Sequence, residues 1–320
     1  MLSKKPYSNK SYAKITNETV SLFNDLLHCG KILLKQATKE DKLNTDADKI
    51  LLLWFNETLN ILQGTIVLFQ KQQFNNSLIL CRTLMENYMN FLFAFEKENE
   101  IQERLLAYRF FELIKELHEL SRIDKNNIYP SKNLNKQRLP FDIIPIIDGI
   151  KEQICSETYA NLYNKAISDF DYDFDNLKNN LVKRKWYTLF DKTLYSFREL
   201  CKHFNQEDEY IAFYSKYSKK IHANDSLNGF CINADGRIEL KTSTYPEDMS
   251  TPLYHLVSMI TTIYKYFSKY FSLKNNLDAD KYKRFSEKLS DLLNNWDKFI
   301  YNMKSNKKKH FFNQTIYYST

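Results

Sequence analysis

Arg82 and Glu86 stand four residues apart inside an apolar run, Leu78-Ile-Leu-Cys-Arg82-Thr-Leu-Met-Glu86-Asn. On a helix that spacing puts both side chains on one face, and helical projection adds Ile79, Met89 and Phe93 to it. Charges in an apolar strip are almost never buried without a partner. Read structurally, the two are an ion pair that fixes helix register. Read functionally, they line a cleft where the planar fork of Arg82 meets an anion such as a phosphate. A second constellation lies far away in Tyr210-Ile-Ala-Phe213-Tyr214-Ser-Lys-Tyr217-Ser218-Lys219-Lys-Ile221-His222. Tyr210, Phe213, Tyr214, Tyr217 and Ile221 form its apolar face, with Ser218 and His222 at the edge. A histidine there either caps and packs the helix or moves a proton near neutrality, taking it from a ribose 2′-hydroxyl or giving it to a leaving oxygen.

Other patterns carry less. Arg198 and His203 make an R-x4-H spacing that six histidines and many arginines produce by chance. Lys183-Arg184-Lys185-Trp186-Tyr187 interleaves basic and aromatic residues, as grooves for single-stranded nucleic acid do, but such a run is commonly a solvated helix start with a buried Trp. There is no HExxH, no GxSxG and no paired Asp/Glu/His ligand set, so neither a metal nor a cofactor is expected. The five glycines stand singly, which leaves no Walker loop and no GxGxxG turn.

The elements that must hold these residues are helices, because apolar residues recur at three and four almost throughout. Ile50, Leu51, Trp54, Ile61, Leu62, Thr65, Ile66 and Phe69 form one stripe, whose start Asp46 or Asp48 could cap. Asn75 to Glu96 is apolar on every side, as a central helix is. Glu100 to Ser121 is amphipathic, and Arg122 to Pro140 reads as a loop. One helix is expected within Phe141 to Ile167 from about Pro145, followed by an acidic connection over Ser168 to Asn180. Shorter helices follow over Leu181 to Leu189, Lys192 to Phe204 and Gln206 to Ala223. Asn233-Ala-Asp-Gly236 between short apolar runs predicts a small β-hairpin near 229–241. Thr251 to Leu273 and Ala279 to Met303 close the chain. The expected fold is all-α, a single large helical bundle with that hairpin as an insertion: residues 1–45 a helical extension, 46–303 the domain, 304–320 a basic tail.

Composition agrees. Of 320 residues 43% are hydrophobic and 27% charged, enough for a core. Only 5 glycines and 6 prolines occur, where roughly 22 and 16 are usual, which disfavours turn-rich β architecture. The net charge of +7 is concentrated by Lys304, Lys307, Lys308 and Lys309 in the tail, and the body is nearly balanced. Five scattered cysteines without a CxxC pair fit a reducing cytoplasm. The longest stretch without a formal charge, Met249 to Tyr264, falls short of the about 20 apolar residues of a membrane span, so no membrane is expected.

Taken in order, Cys81-Arg82-x3-Glu86-Asn, Trp186-Tyr187, Ser196-Phe-Arg-Glu-Leu200 and Tyr210-x3-Tyr214-x3-Ser218-x3-His222 resemble a bacterial helical family described only as a domain of unknown function. The resemblance spans roughly Leu51 to Leu273. That family is in turn similar to the HEPN superfamily of helical bundles, many of them metal-independent endoribonucleases of toxin and anti-phage systems. Those nucleases carry R-x4-6-H on one helix. Here Ser218, Tyr217 and Lys216 occupy the positions before His222, so the resemblance implies that Arg82 supplies the guanidinium from another helix, with Glu86 orienting it. It further implies His222 as general base or acid, Tyr214 and Ser218 positioning it or the substrate, and Lys219 with Lys216 and Lys220 drawing RNA in. A homodimer in the cytoplasm, with a partner protein from the same operon, completes that expectation. The rival expectation is a non-catalytic helical module that binds a protein or senses a signal, with Arg82, Glu86 and His222 as a buried network.

Overall fold

The computed structural model describes residues 10–39, 42–123, 143–172, 180–215, 218, 230–232, 238–240, 249–273, 283–298 and 300–301. The fold is all-α in its body. The chain divides into two compact units, one of residues up to Leu43, Leu52–Phe91 and the residues from Glu207 on, the other of Asn44–Leu51 and Leu92–Gln206.

In the first unit, α1 (Lys10–Ala37) buries Ile15, Leu22, Phe23, Leu26 and Leu33 at helical spacing. It meets α2 (Asp46–Gln70) through Phe23 and Phe69, edge to face at 5.4 Å. Phe69 continues to Phe74 of α3 (Phe74–Phe95), and Phe74 to Trp296 of the 283–298 helix. That indole donates to Thr19 Oγ1 at 3.0 Å, so its one polar atom is satisfied inside the core. The long helix Ser250–Tyr270 stacks Phe267 on Phe55 at 3.7 Å. It also brings Tyr264 so near α1 that a Cβ on Gly30 would lie 2.3 Å from the Tyr264 hydroxyl. Only glycine fits that crossing. Each ring so buried contributes about 1.5–3 kcal/mol.

In the second unit, Thr45 and Asp48 form the reciprocal cap that starts α2: Asp48 Oδ2 accepts from Thr45 N at 2.7 Å, and Thr45 Oγ1 from Asp48 N at 3.1 Å. Phe93, near the end of α3, takes Trp186, Tyr187 and Phe190 around its ring at 5.1, 5.8 and 5.9 Å. α4 (Ile101–Ile123) carries Phe110 to Tyr159. The single helix expected over Phe141 to Ile167 is two. α5 (Ile144–Ile154) stops at Cys155, a short 3-10 turn Glu157–Tyr159 follows, and α6 (Ala160–Phe170) ends at Asp171 in the left-handed region, φ 52°. The helix expected over Leu181 to Leu189 is instead two 3-10 turns, Asn180–Lys183 and Trp186–Leu189. α7 (Phe197–His203) is capped by Ser196, whose hydroxyl accepts from Glu199 N at 3.2 Å.

After α7 the helix expected from Gln206 starts as an α-helical turn, Glu207–Glu209, and continues directly as a π-turn, Tyr210–Ser215, in place of a regular α-helix. Phe230–Ile232 and Ile238–Leu240 pair antiparallel, with Cys231 opposite Glu239. One described helix, Asp46–Gln70, is long and apolar enough to cross a membrane by length and composition, and about half of its most apolar stretch is buried against the rest of the protein.

Candidate functional site

α3 buries Leu78, Cys81, Leu84, Met85 and Met89, which leaves Arg82 and Glu86 together at the edge of that face. Their ion pair closes at 2.9 Å. The π-turn brings in Tyr214, whose hydroxyl accepts from Arg82 Nη2 at 2.7 Å and donates to Glu86 Oε1 at 2.5 Å. The guanidinium carbon lies 4.5 Å from the centroid of the same ring, a cation–π contact. Tyr210 stacks on Tyr214 at 5.2 Å with 22° between the rings. Because a π-turn admits an extra residue per hydrogen-bonded loop and recurs at functional sites, the local backbone draws attention to the same spot.

The electrostatics follow. Burial pushes the Tyr214 phenol well above the ordinary tyrosine range, and its bond to the Glu86 carboxylate pushes it further, outweighing the guanidinium. Tyr214 is therefore a neutral hydrogen-bond donor and not a base. Arg82 is only 18% exposed, and its Nε is buried with no hydrogen-bond partner among the described residues. A buried donor left unmade costs about 1–3 kcal/mol, so an unpaired N–H on an arginine calls for an acceptor. Next to it, burial pushes the Cys81 thiol up to about 12, which removes it as a nucleophile.

Of the residues expected at this site, the structure joins Arg82, Glu86 and Tyr214. Ser218 is helical and half-buried and bonds neither Arg82 nor Glu86. His222 and Lys219 lie outside the described residues, as do Lys216, Lys220 and the 304–320 tail. Trp186 and Tyr187 of the basic-aromatic run are buried against Phe93, and Arg184 lies over the Phe170 ring at 5.3 Å; two of that run's aromatic faces are thereby spent on the core. Among the described residues no three His, Cys, Asp or Glu side chains converge as metal ligands would.

A second arginine cluster has no counterpart in the motifs. Arg104, on α4, is 2% exposed and bonds Glu100 through Nε at 3.0 Å, Glu96 through Nη1 at 2.8 Å and the Phe93 carbonyl. Glu96 in turn bonds His203. The signal for it was the Glu100-x3-Arg104 spacing, which matches any solvated i,i+4 pair.

No curated protein and no solved structure matches the chain. A family profile does match residues 48–238, more than half of the chain. On that match the chain belongs to DUF5677, a family of unknown function.

Proposed function

We propose that the protein is a metal-independent endoribonuclease of a HEPN-like kind, acting in the cytoplasm as a toxin or anti-phage effector. Two strands, Phe230–Ile232 and Ile238–Leu240, would form a small hairpin inserted in the helical body. Arg82 would hold the scissile phosphate and stabilise the charge growing on it. His222 would take the proton of a ribose 2′-hydroxyl as its oxygen bonds to phosphorus, or give one to the 5′-oxygen as the phosphorus–oxygen bond to it breaks. Glu86 orients Arg82, Tyr214 and Ser218 position substrate, and Lys219 adds to the field that attracts RNA. A homodimer would set two such histidines near one phosphate.

The observation behind this reading is the buried Nε of Arg82, a donor with no acceptor among the described residues. The test is RNA cleavage by purified protein in chelator. Arg82→Ala and His222→Ala are expected to cut RNA about 10²–10³-fold more slowly than wild type. RNA left intact by wild type, or equal cleavage by all three proteins, overturns the proposal. A second reading, a non-catalytic partner-binding or sensor module, draws on a separate observation: Glu86 and Tyr214 already engage Arg82 Nη2. It predicts intact RNA with wild type and the same growth for a host expressing wild type or His222→Ala.

A further inference from the structure

The run Lys183-Arg184-Lys185-Trp186-Tyr187 divides between core and surface. Trp186 and Tyr187 are buried, and the 3-10 turn they open is tied back to Lys185, whose carbonyl accepts from Thr188 N at 2.9 Å and from Thr188 Oγ1 at 2.6 Å. Lys185 itself is extended and exposed just ahead of that turn. Around it the same unit gathers cations on two half-buried rings. Arg184 and Lys192 share Phe170, at 5.3 and 5.9 Å from its centroid, and Lys165 lies 5.0 Å from that of Phe190. We propose that Lys165, Arg184, Lys185 and Lys192, set among Phe170 and Phe190, form a contact strip for single-stranded RNA, made of other residues than those proposed to cleave it.

From Lys165 to Asp171 and from Lys183 to Lys192, five cations stand against three carboxylates. Two of the three are engaged: Asp169 pairs with Lys192 at 3.1 Å, and Asp191 Oδ1 accepts from the Thr193 amide and hydroxyl at 2.8 and 2.6 Å. The third, Asp171, is exposed where α6 ends. Among the described residues the charged ends of Lys165 and Arg184 meet rings and no carboxylate at ion-pair distance. Two cations drawn to one ring repel each other, and a single carboxylate offsets only one of them; a polyanion offsets both. The rings narrow the choice of polyanion. Bases of a single strand stack on aromatic rings and guanidinium planes while its phosphates find the cations. A duplex hides its base faces, and an acidic peptide has none to stack. The contact adds to the proposed function and does not rest on cleavage, since it involves neither Arg82 nor His222.

Fluorescence anisotropy of a labelled 2′-O-methyl oligouridylate with the full chain, taken across a salt series, tests the strip; the blocked 2′-oxygen keeps binding apart from cleavage. Wild type should bind. At about 0.7 of slope per single-strand phosphate neutralised, the combined variant Lys165→Gln, Arg184→Gln, Lys192→Gln should flatten the plot of log affinity against log salt by about 2. Lys185→Glu, at an exposed position, should weaken binding and flatten the plot in the same direction, and serves if the triple variant does not fold. Unlabelled single strand should displace the probe better than duplex RNA of equal charge or polyglutamate. Wild type that binds the probe yet leaves RNA uncut upholds the strip and removes the nuclease reading alone. No binding by wild type, an unchanged slope in the variants, or displacement by duplex or polyglutamate as good as by single strand overturns the strip.

Discussion

Two arginines in this chain pair with a glutamate one helical turn away, and their fates diverge. Arg104 follows its partner Glu100 on α4. It is sealed at 2% exposure, with Glu96, Glu100 and the Phe93 carbonyl as acceptors and the Phe93 and Phe190 rings at 4.2 and 5.2 Å from its guanidinium carbon. Arg82 precedes Glu86 on α3, remains 18% exposed and keeps a buried Nε with no acceptor among the described residues. A saturated guanidinium acts as a structural joint, since each donor already has its acceptor and any ligand must displace one. An unsaturated one is held in place at some cost to stability, which is the usual mark of a residue kept for a ligand.

The largest expected effect tests the saturated side. Arg104→Ala strands Glu96 and Glu100 beside a cavity, and removing one partner of a buried ion pair costs about 3–5 kcal/mol. Urea unfolding of the full chain should show that loss as a lower midpoint at unchanged slope. Arg104→Met, which refills the space between the Phe93 and Phe190 rings, should recover part of it. A loss under about 1 kcal/mol for the alanine variant would place Arg104 with ordinary surface pairs and dissolve the contrast.

Arg82→Met is expected to do far less to folding. It gives up a partly exposed ion pair worth about 0.2–1 kcal/mol, a cation–π contact of about 0.5–1 kcal/mol and one hydrogen bond. It also relieves the unmade donor, worth about 1–3 kcal/mol. The net should lie within about 1 kcal/mol of wild type by the same urea measurement, with either sign. A loss matching that of Arg104→Ala would make Arg82 a second structural joint and remove the reason to look for a ligand there.

Why one arginine was legible in the sequence and the other was not has a physical answer. Arg82 sits in a run so apolar that any charge in it stands out, and the i,i+4 spacing to Glu86 needs only one helix to be right. Arg104 is buried by Phe93, Phe190 and Glu96, brought to it by the fold, while its own helix looks amphipathic and ordinary. The long helices α2 and α4 show their period because each buries one stripe, and α3 stands out because it is apolar all round. The break at Cys155 is hidden because Ile150, Ile154, Leu162 and Ala166 keep spacings of four or eight across it, each buried on its own short helix. The π-turn at Tyr210–Ser215 is equally silent, since Tyr210 and Tyr214 have a helical spacing whichever loop the backbone closes. Sequence could name Tyr214 as a neighbour of the site; only the fold shows that its hydroxyl joins both members of the pair.

Tyr214→Phe is the smallest of these changes and separates the two arginine clusters most finely, because it removes one oxygen from one of them. Losing a net hydrogen bond costs about 1 kcal/mol, and the ring still stacks on Arg82 and Tyr210. The pH dependence is more telling than the midpoint. With the phenol held well above the ordinary tyrosine range by burial and by Glu86, the neutral form is favoured in the fold. Its stabilisation is fully present below the unfolded tyrosine value and is lost as pH rises through the folded one. Stability of wild type over Tyr214→Phe should therefore hold constant through neutrality and shrink only in strong alkali, where the absorbance titration of tyrosinate in wild type should include one late component that the variant lacks. An advantage that already fades near pH 8, within reach of histidine but not of a neutral phenol, would mean that Glu86 and Arg82 are joined by something other than this hydroxyl.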